Sequence, residues 1–148
     1  MKWMLYIMLA ALALAVPVRR ADVGKLRPVE VIAVGGSEGH CIIRTDTGDR
    51  GVGATLEEAA ANLRDTAPGL IYLDTAEYLL LENNPGETSD LERILKSHVR
   101  VCAAQGEIPL EGIGQYLDVH QPKEQLRDGF TYDELEFLRE QNGFFCME

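Results

Sequence analysis

Two side chains in this sequence could cooperate in nucleophilic catalysis, those of His98 and Cys102. An imidazole can take the proton of a thiol and leave a thiolate, which is the reactive nucleophile. These two side chains can meet only if the predicted helix and strand that carry them turn back sharply. Nothing near them in the sequence orients the imidazole. A small exported hydrolase or redox enzyme using His98 and Cys102 is therefore the alternative hypothesis, and we do not expect an enzyme.

The other residue types found in catalytic and metal sites are scattered along the chain. Its histidines and cysteines are His40, His98, His120, Cys41, Cys102 and Cys146. The histidines lack the H-x-x-x-H spacing of metal sites, and the cysteines form no C-x-x-C pair. Gly35-Gly36-Ser37-Glu38-Gly39 matches the G-x-S-x-G pattern, but it lies in a predicted hairpin turn and no helix is expected after Gly39, whereas a nucleophilic serine of this type needs a strand–turn–helix context. We therefore predict no catalytic residue, no metal and no cofactor, and the sequence identifies no small-molecule substrate.

Charge is distributed unevenly along the chain. The 148 residues carry a formal net charge of −10. Five basic residues but only one acidic residue precede Pro28, which leaves nine basic and 23 acidic side chains in the remainder, a formal charge of −14. A phosphate backbone would repel such a body, so we predict that the protein does not bind nucleic acid.

The N-terminal segment is predicted to direct the chain to or across a membrane. The run from Trp3 to Val16 is almost entirely apolar but shorter than the roughly 20 residues of a membrane helix. It suits a secretory signal, with Ala13 and Ala15 offering a small-x-small cleavage pattern, and whether it is cleaved stays open. We expect a signal peptide or membrane anchor at 1–20 (residues 3–16 contacting the membrane), a linker at 21–27 and one globular domain at 28–148. The protein would be membrane-attached or secreted, and extracytoplasmic.

Four apolar runs predict the strands of a β-sheet. Val29–Val34 and Cys41–Thr45 are rich in β-branched residues and flank a glycine-rich turn, which is typical of a β-hairpin. Tyr78–Leu81 and Val99–Ala104 are expected to be further strands.

Capping boxes, in which Ser or Thr is followed three residues later by Glu, indicate three helix starts at Thr55, Ser89 and Thr131. Asn142-Gly143 is expected to end the last helix. The predicted helices are Leu56–Asp65, Ser89–His98, Leu110–Val119 and Tyr132–Gln141. We therefore predict an α/β (α+β) fold, a single compact domain in which about four helices pack on a mixed β-sheet.

The stretch from Thr47 to Gly106 resembles the N-terminal domain of the Ger(x)C family, the C-subunits of bacterial spore germinant receptors. The matching pieces are Gly53–Ala59, Tyr78–Leu81, Leu91–Leu95 and Val99–Gly106, and Leu110–Leu117 looks like the helix that follows. Asp74-Thr75 replaces the family's Gly-His, and neither its lipobox cysteine nor its large C-terminal domain has a counterpart. The resemblance implies a non-catalytic, membrane-attached protein of spore-forming bacteria that acts through protein contacts outside the cytoplasm.

Two segments are the expected contact surfaces, because loops and exposed apolar groups carry recognition. One is the loop that follows Tyr78–Leu81, and the other is the apolar tail, which either folds back on the core or contacts a partner or membrane. The predicted contact residues are Asn83, Asn84, Glu87, Phe144, Phe145 and Met147. We expect an accessory or assembly protein that binds a membrane protein, in spore formation or germination.

Overall fold

The first two apolar runs pair as the expected antiparallel hairpin in a computed structural model, which describes residues 26–37, 39–84, 90–126 and 130–148. The strands are β1 (Leu26–Pro28), β2 (Val31–Ser37), β3 (His40–Thr45), β4 (Arg50–Gly53), β5 (Leu70–Tyr72), β6 (Tyr78–Glu82), β7 (Arg100–Ala104), β8 (Phe137–Gln141) and β9 (Phe144–Met147). The α-helices are α1 (Leu56–Thr66), α2 (Leu91–Ile94) and α3 (Ile113–His120).

Seven of these strands form one mixed sheet in the order β4-β3-β2-β6-β7-β8-β9. Strands β2, β6, β7 and β8 are parallel to one another, whereas β3, β4 and β9 run antiparallel to their neighbours. Strands β1 and β5 form a separate parallel pair. The predicted fold class, a single compact α/β domain with a mixed sheet, is confirmed.

Both faces of the sheet are covered. Alternating residues of the parallel strands point to opposite faces, so each strand contributes to two apolar clusters. Helices α1 and α2 cover one face, where Leu63 and Leu91 pack over Leu79 and Val101. Helix α3 covers the other face together with the segment that precedes it. Burial on both faces explains why the parallel strands have continuous apolar sequences.

Helix α1 confirms the clearest sequence prediction. The Glu58 amide donates to Thr55 Oγ1 at 3.2 Å, and Glu58 Oε2 accepts from the Ala54 amide at 2.9 Å. Strand β4 lies against this helix with glycines at the contact: a Cβ at Gly51 would lie 2.2 Å from the Ala59 carbonyl oxygen. Only glycine allows the strand and the helix to approach so closely.

The helix predicted at Ser89–His98 is much shorter, since α2 has only four residues. Leu95 already has an extended backbone, with ψ of 158°. The chain turns there because Val99, which is fully buried, must reach the core four residues later. The predicted cap at Ser89 lies outside the described residues.

The helix predicted at Leu110–Val119 begins three residues later, at Ile113. Gly112 precedes it with a φ of 77°, a left-handed conformation that interrupts any helix running through this position. Leu110 is buried but belongs to the segment before the helix.

The fourth predicted helix, Tyr132–Gln141, is wrong. A single 3₁₀ turn spans Tyr132–Glu134, and the following residues form the β8–β9 hairpin. Asn142 and Gly143 have φ values of 55° and 81°, so they form the two-residue loop of the hairpin and do not cap a helix. Pairing with the free edge of β7 overrides the local helical pattern, because β8 gains backbone hydrogen bonds there.

Leu63→Ala should lower the free energy of unfolding by about 2–4 kcal/mol, because a fully buried side chain is lost and a cavity remains. Leu70→Ala is the matched control, since Leu70 is 52% exposed and its truncation should cost less than about 1 kcal/mol. Urea unfolding of both variants tests this. A change below about 0.5 kcal/mol for Leu63→Ala would contradict the packing of α1 on the sheet.

Candidate functional site at the carboxyl edge of the sheet

The carboxyl ends of the parallel strands β6, β7 and β8 meet at one edge of the sheet. Strand β8 pairs with β7 only at its first two residues, so Arg139–Gln141 extend past the end of β7. A depression of about 280 Å³ lies between this projecting hairpin and the loop after β7. Its lining residues are Gln105, Glu107, Ile108, Arg139, Glu140 and Gln141. In open α/β sheets, ligands commonly bind outside the carboxyl ends of the strands.

Asn83 and Asn84 lie at this same edge, directly after β6. Both have left-handed backbones, with φ values of 55° and 46°, and both are exposed. The Gly106 amide donates to Asn83 Oδ1 at 2.7 Å, and the Asn83 amide donates to the Ala104 carbonyl at 3.0 Å. The predicted contact loop is therefore held against the loop that borders the depression. Glu87 lies outside the described residues.

An ion pair between the partly buried Arg44 and the buried Glu82 lies beneath this edge. Glu82 also accepts a hydrogen bond from the Ile108 amide at 3.1 Å, and Arg44 donates to the Ile108 carbonyl at 2.9 Å. A second, exposed carboxylate, that of Glu107, lies 3.3 Å from Arg44. Two charged side chains thus fix the backbone of the loop after β7.

The apolar tail folds back as β9 and begins beside the depression, because Phe144 pairs with Gln141. Phe144 is 77% exposed, whereas Phe145 and Met147 are half-buried against the cluster under α3. The ring of Phe145 lies 5.8 Å from that of Tyr116. The tail therefore has one face against the core and one exposed face.

His98 and Cys102 do not form a solvent-open catalytic pair. Cys102 is fully buried, and burial raises the pKa of its thiol to about 12, so it stays protonated at neutral pH. His98 is exposed and lines a different depression, of about 220 Å³, at the amino edge of the sheet. Its other lining residues are Glu77, Tyr78, Arg100 and Gln125.

Several acidic side chains also lie near the amino edge. Burial, then the charges of Asp118, Asp46 and Glu77, raise the pKa of the Glu30 carboxyl. The Tyr78 hydroxyl donates to Asp118 Oδ1 at 2.8 Å. Within the described ranges, no group of three or more His, Cys, Asp or Glu residues is arranged to hold a metal ion.

Sequence analysis identified Asn83, Asn84 and Phe144 but missed the charged residues of this edge. The available signal was Glu82, an acid that ends an otherwise apolar strand. An acid at the carboxyl end of a buried parallel strand indicates either an ion pair or a site. Its partner Arg44 is 38 residues away, so no local pattern connects them.

Comparisons with protein-family models, with curated proteins and with solved structures found no match to this chain. Among the residues that the structure describes, no helix is both long and apolar enough to cross a membrane. The predicted anchor at residues 3–16 lies outside the described ranges.

Glu82→Gln should lower the free energy of unfolding by about 3 kcal/mol, because it leaves the Arg44 charge buried without its main partner. Glu107→Gln is the matched control. It also removes a carboxylate charge that pairs with the Arg44 guanidinium, but Glu107 is exposed, so the loss of unfolding free energy should be less than about 1 kcal/mol. Chemical denaturation of both variants measures the difference. Equal losses of unfolding free energy in the two variants would show that Glu82 is not the main partner of Arg44.

Proposed function

We propose that the protein is a non-catalytic accessory or assembly protein that is attached to a membrane, binds a membrane protein outside the cytoplasm, and works in spore formation or germination. The partner surface is the carboxyl edge of the sheet, defined by Asn83, Asn84, the depression and the exposed residue Phe144. This edge is the single feature that best supports the proposal, since both predicted contact segments border it.

The lining of the depression favours a protein partner over a small molecule. Pockets for small ligands usually measure about 300–1,000 Å³ and are mostly apolar. This one, at about 280 Å³, is lined by charged and amide side chains, with Ile108 as its single aliphatic residue. Exposed polar groups with a nearby aromatic ring are typical of the rim and anchor of a protein interface.

The charge of the domain indicates what the partner presents. Acidic side chains exceed basic ones by 14 from Pro28 onward, which favours a partner surface that is basic around its contact patch. The Ger(x)C resemblance and the apolar N-terminal run support the membrane location, and the resemblance alone supports the role in spores.

Residues 1–28 fused to a reporter that is active only outside the cytoplasm should give an active, membrane-associated reporter, because the apolar run acts as signal or anchor. A control fusion with Leu12 and Leu14 replaced by Asp should be inactive and cytosolic, since charges in the apolar run prevent insertion. Equal activity of the two fusions would reject the targeting role.

Photocrosslinking in the native cell, with the anchor intact, tests the partner surface. A photoreactive residue at Asn84 or Glu140 should capture a membrane protein, because both positions are exposed at the carboxyl edge. The same residue at Val119, which is 78% exposed near the amino edge, should not capture it.

Capture of the same proteins from Val119, or of none from Asn84 and Glu140, would contradict the proposed surface. A hydrolytic activity of the purified protein that is lost in Cys102→Ala would favour the enzyme hypothesis instead. The loss in Cys102→Ala supports that interpretation only if the variant unfolds at the same urea concentration as the parent, since Cys102 is a core residue.

A further inference from the structure

Strand β9 is the outermost strand of the sheet, and its hydrogen-bonding pattern defines a free edge. Phe137 and Glu148 exchange both backbone hydrogen bonds, at 2.8 and 2.9 Å. Such pairs alternate along antiparallel strands, so Cys146 is also bonded to β8, and the N–H and C=O of Phe145 and Met147 point outward. Within the described residues, no backbone group pairs with these four outward groups.

The opposite edge of the sheet is protected, which makes the β9 edge distinctive. At β4, the Val52 amide donates to Asn62 Oδ1 of α1 at 3.0 Å, and Gly51 packs against the same helix. Natural proteins blunt free edges with very short strands, charged residues, proline, bulges or a covering element. Strand β9 is only four residues long, but it has no charged residue or proline, and its pairing with β8 is continuous without a bulge.

We infer that β9 pairs antiparallel with β9 of a second copy of this chain, about a two-fold axis at Cys146. In this register Phe145 lies opposite Met147 of the second copy, and Met147 lies opposite its Phe145. The outward N–H and C=O groups of both residues then form four intermolecular hydrogen bonds. Only in this two-fold register do the outward groups of Phe145 and Met147 all pair with the same groups of a second copy, which favours a second copy as the partner of this edge.

The side chains fit the same register. Phe145 and Met147 face each other on the α3 side, where both already pack on the apolar cluster. On the other side, Phe144 faces Glu148 of the second copy, so no two like charges are opposed. Phe144–Met147 carry no charge in a chain with a net charge of −10, and each Glu148 has Arg139 at 3.5 Å. The seam therefore avoids the repulsion between two acidic bodies.

The register makes a geometric prediction about Cys146, which is exposed. In the dimer, Cys146 lies opposite Cys146 of the second copy at a non-hydrogen-bonded position. The two Cα atoms there are about 4.5 Å apart, within the range that a disulfide can bridge. The two Phe144 Cα atoms would be about 14 Å apart, four residues along the strand, which is too far for a disulfide.

The test is disulfide trapping of the full chain in mild detergent with copper(II)-phenanthroline as the oxidant. The parent should form a disulfide dimer through Cys146. The double variant Phe144→Cys, Cys146→Ser is the matched control, since it moves the thiol two residues along the same face to another exposed position. It should crosslink at least about tenfold more slowly, because its thiols cannot meet. Cys146→Ser alone measures the background from the two other cysteines.

Equal rates for the parent and the control would mean random collision or association through the N-terminal segment, and would overturn the inference. Absence of a dimer in the parent would overturn it as well. Phe144 belongs to both surfaces, but Asn84 and Glu140 are not part of the β9 seam, so neither result changes the outcome expected from photocrosslinking at those two positions. Met147→Pro is a second test that does not need a thiol. It removes an outward N–H that no backbone group of the described chain accepts, so the fold of one copy should be kept while the intermolecular hydrogen bond is lost. Light scattering should then show no dimer.

Discussion

The burial of β6 on both faces is the constraint on which the rest of this structure depends. All five of its residues are buried, including Glu82 at its end. A strand with no exposed side must have neighbours on both edges and helices on both faces. Parallel partners β2 and β7 supply the edges. The connections from β2 to β6 and from β6 to β7 supply α1 and α2 on one face, and the connection from β7 to β8 supplies α3 on the other. The carboxyl edge, with its loops and its depression, follows from this arrangement.

The same constraint explains which parts of the fold could be predicted from the sequence. Tyr78–Leu81 is an unbroken apolar run, and α1 has both a capping box and a regular apolar face, so local pattern and tertiary packing agree. At Tyr132–Gln141 they disagree. Asn-Gly can end a helix or form a two-residue hairpin loop. The free edge of β7 decides between the two, and β7 lies more than thirty residues before β8 in the sequence.

The candidate site was predictable to the extent that its residues are local. The composition of the loop after β6 indicates exposure and unusual backbone conformations, and Asn83 and Asn84 have both. The grouping of that loop with Arg139 and Phe144 depends on the order of strands in the sheet, which the sequence pattern does not contain. The burial of Cys102 was also inferable from its apolar neighbours, and this burial raises the pKa of its thiol and so disfavours the thiolate that the enzyme hypothesis requires.

Stability alone does not account for the buried pair of Arg44 and Glu82. Replacing a buried ion pair with apolar side chains of similar volume is often neutral or stabilising, because two charges lose their hydration. The pair does something that apolar residues cannot do, since Glu82 and Arg44 bond the amide and the carbonyl of Ile108 from opposite directions. It thereby fixes one conformation of the loop that borders the depression. The geometry of the carboxyl edge thus depends on charges placed beneath it, where a partner would not contact them.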